Sequence, residues 1–354
     1  IQIGTEMGLT LEDSDYYLSY AYLKNKTDYY FVGFQTANFF QAGYYSLGRL
    51  RHYGLQSYVS HPFSRFQRID FGLTWHNISY DILDRVINSF GQEELLKRPG
   101  SIKYSTVLPM MSWIIDNSVF GITGPVDGFR QNTSLTASPG WGDNFSFQTM
   151  KVDARKYWRV GRDYTFAVRG FLGRSQGEKP QKFFLGGIPY LLSGGGETNG
   201  VKDQSVYRSV LTDTSNSNLI SDVYFTEYAF PMRGARFAER IGTHAALFNF
   251  EIRFPFINYL ALGFPLKLVF GNIRGHAFMD VGAAWDDIDE FSSNNWPDKY
   301  GSNNSGNFSP WVVTSGLGVK INLGYFLLRL ETAWDRNSSG YSKPQWYLSL
   351  GPDW

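Results

Sequence analysis

Between Ala245 and Phe256 the side chains change character at every step. Phe248, Phe250, Ile252, Phe254 and Phe256 take one parity, and Asn249, Glu251 and Arg253 take the other. Successive side chains of a strand point to opposite faces. The run therefore reads as a strand with one apolar face and one charged face. A single strand of this kind fits a soluble sandwich as well as a membrane barrel. Its recurrence favours the barrel. Ile69, Phe71, Leu73 and Trp75 alternate with Asp70, Gly72, Thr74 and His76. Val313, Leu317, Val319 and Ile321 alternate with Thr314, Gly316, Gly318 and Lys320. Phe326, Leu328, Leu330 and Trp334 alternate with Tyr325, Arg329, Glu331 and Ala333. Many such runs last about 9 to 13 residues, the length a tilted strand needs to cross the hydrocarbon layer.

Other readings are weaker. No run reaches the roughly 18 consecutive apolar residues of a membrane helix. The mean hydropathy of −0.28 fits a barrel, because alternate residues face water inside and lipid outside. Aromatic residues make up 18% of the 354-residue chain. That suits girdles of rings at two membrane interfaces, with Tyr29-Tyr30 and Tyr44-Tyr45 as examples. A net charge of +1 gives no case for nucleic acid as a partner. The absence of cysteine excludes disulfides and thiolate metal sites. His52, His61, His76, His244 and His276 show no metal-binding spacing, and neither a metal nor any cofactor is expected. Gly173-Arg174-Ser175-Gln176-Gly177 has the spacing of a nucleophile elbow but leads into a polar loop rather than a helix. The glycines Gly194 to Gly196 lack the Lys-Ser/Thr of a phosphate loop. No enzyme chemistry is expected.

The pattern predicts an all-β fold, a closed antiparallel transmembrane barrel occupying residues 1–354. Strands are placed near 3–12, 15–23, 28–38, 41–48, 53–61, 65–78, 102–115, 128–139, 143–156, 162–173, 245–256, 264–285, 311–322, 324–334 and 345–353. Asn258 to Leu262 and Leu323 read as tight turns; Asp286 to Pro310 and Asp335 to Pro344 read as long polar loops. Asp81 to Gly100 has a helical spacing and is placed in a cap over an outer loop. The strand count is odd, whereas bacterial barrels have an even one. The parity predicts a further strand upstream of Ile1, the alternative being that one of these strands is two. The segment from about 174 to 243 is too long for an ordinary connection and is read as functional.

That segment contains Phe184-Leu185-Gly186-Gly187 and then Met232-Arg233-Gly234-Ala235. The next strand carries Asn249-Phe250-Glu251-Ile252-Arg253-Phe254-Pro255, and the one after it Phe278-Met279-Asp280-Val281-Gly282. Alternation points Glu251 and Asp280 into the interior. A loop folded inward would set the Arg233 guanidinium beside two carboxylates, where its planar fork can bind bidentately. Gly234 lets that loop approach the wall closely.

At these residues the chain resembles the BamA/TamA superfamily of outer-membrane assembly and translocation barrels. The likeness is good over 183–354 and rests on strand rhythm before that. It implies a barrel of about 16 strands whose sixth outer loop folds back into the lumen. The resemblance pairs Arg233 with Asp280 of the Phe278-x-Asp280-x-Gly282 strand and with Glu251 of the intervening strand. It also reads Leu350, Gly351 and Trp354 as a C-terminal strand signal. Ala235 departs from the family's aromatic, with Phe237 as a substitute ring, and Met232 departs from a β-branched residue. No periplasmic POTRA repeats are present in the chain. The resemblance implies such repeats either upstream of Ile1 or supplied by periplasmic accessory proteins.

The resemblance implies a bacterial-type outer-membrane location, lipid contact, and client β-barrel or surface proteins as partners. Insertion or translocation would use a weakly paired seam between first and last strands. Gly351 and Pro352 weaken the last one, and an exposed strand edge is a template for an incoming strand. A porin-like passive channel and a barrel that only anchors a multi-protein complex are the alternatives. Steady conductance in a planar bilayer marks the channel, and co-purifying partners mark the anchor.

Overall fold

The computed structural model describes residues 2–6, 11–41, 46–87, 91, 93–140, 146–188, 191–194, 227–229, 231–235, 239–263, 268–291, 311–324, 326–337 and 340–351. Fourteen of its strands form an antiparallel meander in which each pairs with the next. They are β1 (Gln2–Glu6), β2 (Asp15–Tyr22), β3 (Asp28–Gln41), β4 (Ser46–Pro62) and β5 (Gln67–Ile87). Then come β6 (Ile102–Asp116), β7 (Gly124–Pro139), β8 (Ser146–Val160), β9 (Tyr164–Gly177) and β10 (His244–Leu262). β11 (Leu268–Trp285), β12 (Val312–Asn322), β13 (Leu327–Asn337) and β14 (Gln345–Gly351) complete the wall. A fifteenth strand, Leu191–Gly194, pairs with β14 and comes from the long segment between β9 and β10. Among the described residues β1 pairs with β2 and no pairing joins β1 to β14.

The alternation of the sequence is the alternation of the wall. On β5, Phe71, Leu73 and Trp75 are exposed; on β10, Phe250, Ile252 and Phe256 are exposed. The opposite parity is buried and polar. Asn249, Glu251 and Arg253 of β10, Asp280 of β11, Thr314 and Lys320 of β12, and Arg329 and Glu331 of β13 are nearly inaccessible. Large apolar groups outside and buried charge inside invert the arrangement of a soluble protein and match that of a membrane barrel.

Several expectations are corrected. The described residues of 81–100 are not helical: β5 runs on to Ile87, and Glu93–Lys97 pairs back onto Leu83–Ile87. The spacing of Ile82, Leu83, Val86 and Ile87 suits either element, and pairing on both flanks decides for the strand. Side chains pin it there. Asp81, 1% exposed, takes Arg49 at 2.9 Å and Lys97 at 2.8 Å. Arg98 makes a two-pronged contact with Asp84 at 2.7 and 3.0 Å.

The separate strands expected near 41–48 and 53–61 are one, since β4 pairs with β5 without interruption from Ser46 to Pro62. Merging those two removes one strand from the expected number, and Leu191–Gly194 adds another to the described sheet. Asn258 to Leu262 is not a turn either. β10 extends through it to pair Leu262 with Leu268, after a register shift between Pro255 and Ile257. Such a shift is where a proline, lacking an N–H, is tolerated in a strand. Leu323 does begin a tight turn, its N–H donating to the Phe326 carbonyl at 2.9 Å. Tyr44, Tyr45, Phe237, Pro352, Asp353 and Trp354 lie outside the described residues, as do 195–226.

Candidate functional site: an inward loop clamped on the wall

The segment between β9 and β10 returns to the inner face and builds its own small sheet there. Phe183–Leu185 pairs in parallel with Glu227–Ala229 and antiparallel with Arg240–Gly242. The apolar side of this sheet packs on the wall, with Phe183, Leu185, Ala229, Met232 and Ala235 against Phe171, Ala245, Leu247, Ala284 and Val312. Gly282 of β11 makes the seat: a Cβ there would come within 2.9 and 3.0 Å of the Leu185 methyls. Ion pairs hold the rim, Lys151 to Glu227 at 2.7 Å and Lys182 to Asp286 at 2.8 Å. Gly187 and Met232 exchange backbone hydrogen bonds of 3.2 and 3.0 Å. That bridge presents Arg233 to the wall.

Arg233 is 2% exposed and its hydrogen-bonding capacity is almost fully used. Its Nε and Nη2 donate to the two oxygens of Asp280 at 2.9 and 2.8 Å, and its backbone N–H donates to Asp280 Oδ2 at 3.0 Å. Nη1 donates to Glu251 at 3.0 Å and to Glu331 at 3.3 Å. The guanidinium lies 3.6 Å above the centroid of the Phe278 ring. Fork, ring and carboxylates together fix position and orientation, which a lysine could not do.

The wall supplies the remaining partners. Asn249 donates both to Asp280 at 2.8 Å and to the Pro231 carbonyl at 2.8 Å, tying wall and loop together. Arg253 donates to Glu251 at 2.6 Å, and Lys320 also contacts Glu251. His276 meets Glu331 at 2.9 Å. Three acidic groups thus face Arg233, Arg253 and Lys320, with His276 beside them. A buried charge is tolerated when it is paired and hydrogen-bonded throughout.

Two glycines of β12 open the space for this cluster. A Cβ on Gly316 would sit 2.3 Å from Phe278 Cζ, and one on Gly318 would sit 2.5 Å from His276 and 2.8 Å from Glu331. Gly316 admits the ring beneath the guanidinium, and Gly318 lets His276 and Glu331 meet across it. Gly234, at φ +87° with Ala333 and Thr314 about the place of a missing Cβ at 3.1 and 3.2 Å, turns the loop after the arginine. Its N–H donates to the Tyr347 hydroxyl at 3.0 Å, and that hydroxyl donates to Gln345 at 2.6 Å.

The comparisons with known proteins follow this geometry. Residues 4–354 match the model of the Omp85 superfamily domain. The chain belongs to the Omp85 superfamily. This bears out the family resemblance carried by the Arg233 and Asp280 motifs. Among solved structures, this Omp85 chain is similar to BamA from Haemophilus ducreyi lacking POTRA domains 1-3. The TM-score is 0.56 at 13% identity, covering 95% of this chain and 62% of that one. It is also similar to CdiB from Acinetobacter baumannii, with TM-score 0.50 at 10% identity, covering 95% and 49%. The chain thus spans less than two thirds of either structure, and at these identities the likeness is one of fold. Comparison with curated protein sequences returned no match.

The structure brings together Arg233, Gly234, Glu251, Phe278, Asp280 and Gly282 of the Omp85 chain. Leu350 and Gly351 end β14, paired with Leu328 and Leu327; they do not join the cluster. Asn249, Glu331, Tyr347 and the Gly316-x-Gly318 pair escaped the sequence reading. Strand parity already put Glu331 and Gly316 on the inner face. Nothing in the sequence ranked Tyr347, more than a hundred residues from Gly234, as that loop's acceptor.

Replacing Tyr347 with phenylalanine removes this contact together with the hydroxyl's bond to Gln345. It leaves the Gly234 N–H buried without its acceptor, a loss of about 1–3 kcal/mol. The detergent-solubilised barrel should unfold at a lower temperature, read by the shift between compact and extended gel mobility on heating. An unchanged transition would show that the hydroxyl carries no share of the clamp.

Proposed function

We propose that this Omp85 chain closes into a barrel in a bacterial-type outer membrane and inserts or translocates other outer-membrane or surface proteins through the seam between β1 and β14. The reading assigns it client chains and membrane lipid as partners and no enzymatic step. One observation carries it. Among the described residues the two end strands are short, 5 residues in β1 and 7 in β14, whereas β3 to β11 run from 14 to 21. No pairing joins these described ends, and stretches this short can form only a few bonds. Family membership and the BamA-like fold support the same reading, and the clamp explains how a barrel with a labile seam keeps its shape elsewhere. Arg233 binds β10, β11 and β13, and Gly234 binds β14.

A passive channel is less favoured, because the folded-in segment and its charged cluster occupy the inner face. The seam is tested with disulfides. The chain has no native cysteine, so one cysteine in Gln2–Glu6 and one in Gln345–Gly351 form a defined pair. The pair with the highest cross-linking yield is placed in lipid vesicles and offered an unfolded outer-membrane barrel protein. Insertion should cease in the oxidised form and return on reduction, with compact gel mobility retained throughout. Undiminished insertion by the oxidised form overturns the seam.

A further inference from the structure

The edge of β14 that faces away from β13 is already occupied. Leu191–Gly194 lies antiparallel on it, with Leu191 opposite Ser349, Ser193 opposite Leu348 and Gly194 opposite Tyr347. The register breaks between Leu191 and Ser193, leaving Leu192 in a bulge, and Leu192 is 59% exposed. Among the described residues this ladder spans Tyr347 to Ser349, whereas β13 pairs with all of β14, from Gln345 to Gly351. A bulge removes regular pairing and leaves its extra residue unmatched. Among the described residues the occupant is therefore short and imperfect on a longer edge.

Its attachment is firm on one side. Ile188, only 7% exposed, packs with Phe278, Ala333 and Tyr347, and Gly187 is bridged to Met232 beside Arg233. Tyr347 stands where both contacts meet. Its hydroxyl holds Gly234, and its backbone pairs with Gly194. The clamp thus delivers this strand to the edge of the wall.

We propose that Leu191–Gly194 is a resident occupant of the outer edge of β14, which an incoming antiparallel strand must displace. Main-chain hydrogen bonds supply the affinity of such strand addition. An incoming strand that pairs along all seven residues from Gln345 to Gly351 replaces a bulged ladder with a regular one. Tethering gives the resident strand a high local concentration, so it excludes weak or short competitors. The inference rests on the seam reading only in taking β14 as one lip of the opening.

The test reads cross-linking rather than insertion, so its failure is distinct from failure of the seam. First, Ser193→Cys and Leu348→Cys are combined. Directly opposed antiparallel residues lie within the Cα separation that a disulfide spans. Mild oxidation should join them in high yield, and much faster than Ser193→Cys paired with Asp28→Cys on β3.

Second, the Leu348→Cys variant alone is offered a synthetic peptide of residues 187–196 in which cysteine replaces Ser193. A tethered segment has an effective concentration on the order of 1 mM, so a peptide at about 0.1 mM should label the thiol introduced by Leu348→Cys about tenfold faster once the resident strand is displaced. Displacement is achieved by Ser193→Pro, which denies the ladder a donor and leaves the clamp untouched. Absence of the first cross-link overturns the proposal. Equal peptide labelling with and without Ser193→Pro shows that the segment is no competitor, and no labelling of either shows that the edge takes no strand; each overturns it too.

Discussion

Arg233→Ala is expected to detach the inward segment from the wall and to cost the barrel about 3–5 kcal/mol, the usual penalty for removing one partner of a buried ion pair. The loss falls unevenly. Glu251 keeps Arg253 and Lys320, and Glu331 keeps His276. For Asp280 the hydrogen bonds seen beyond Arg233 reduce to the one from Asn249. The penalty is therefore concentrated on Asp280, which loses the two guanidinium hydrogen bonds of Arg233 and keeps the one from its backbone N–H. Adding Asp280→Asn to Arg233→Ala should recover about 1–3 kcal/mol, a coupling of the size seen between directly contacting residues. Adding Glu251→Gln should recover nothing, because it strands Arg253 and Lys320. Arg233→Lys should behave nearly as badly as alanine, since a point charge cannot form the fork or stack on Phe278. Thermal transitions in detergent measure the energies, and protease cleavage within 183–243 reports detachment. A barrel that keeps its wild-type transition and resists protease after Arg233→Ala has no working clamp.

Gly316→Ala should act from the opposite side of the same contact. The added Cβ would lie 2.3 Å from Phe278 Cζ and 2.2 Å from the Thr332 carbonyl oxygen. The ring has little room to shift, because the Arg233 guanidinium lies against one of its faces at 3.6 Å. Overpacking of this kind costs about 1–3 kcal/mol, and more where backbone is involved. The predicted signature is a lowered transition with protease sensitivity in the loop, although the substituted residue is on the wall. Phe278→Leu in the same chain should relieve part of the loss, the Thr332 clash remaining. A Gly316→Ala barrel as stable as the parent refutes the idea that this glycine makes room for the ring. Gly234→Ala makes a poorer test, because a positive φ strains any replacement whatever surrounds it.

Both predictions reach the seam. Gly187, Met232, Arg233 and Gly234 form one stretch of contacts that ends in Leu191–Gly194 on the edge of β14. Loosening the arginine should also lower the yield of the cross-link between positions 193 and 348. In the proposed role, a barrel has to combine a rigid wall with one edge that lets go. The Arg233 cluster draws its wall partners from β10 to β13.

Much of this could be read from the chain itself because a strand's side chains obey a period of two. Parity is local, so the sequence alone determined that Glu251, Asp280, Glu331 and Gly316 share the inner face, and that Phe250, Phe71 and Leu330 share the outer one. It also determined that Arg233 sits in a segment too long to be a mere connection. The same locality misled where spacing is ambiguous, as over Ile82 to Ile87, and between 48 and 53, where one strand reads as two. Only the tertiary structure decided which carboxylate takes the fork, that Tyr347 receives the loop, and that Leu191–Gly194 lies on the last strand. Those contacts join residues from 47 to more than 150 positions apart, and no local rule encodes a partner at such distance. They are set by which buried groups remain to be satisfied once the wall has formed.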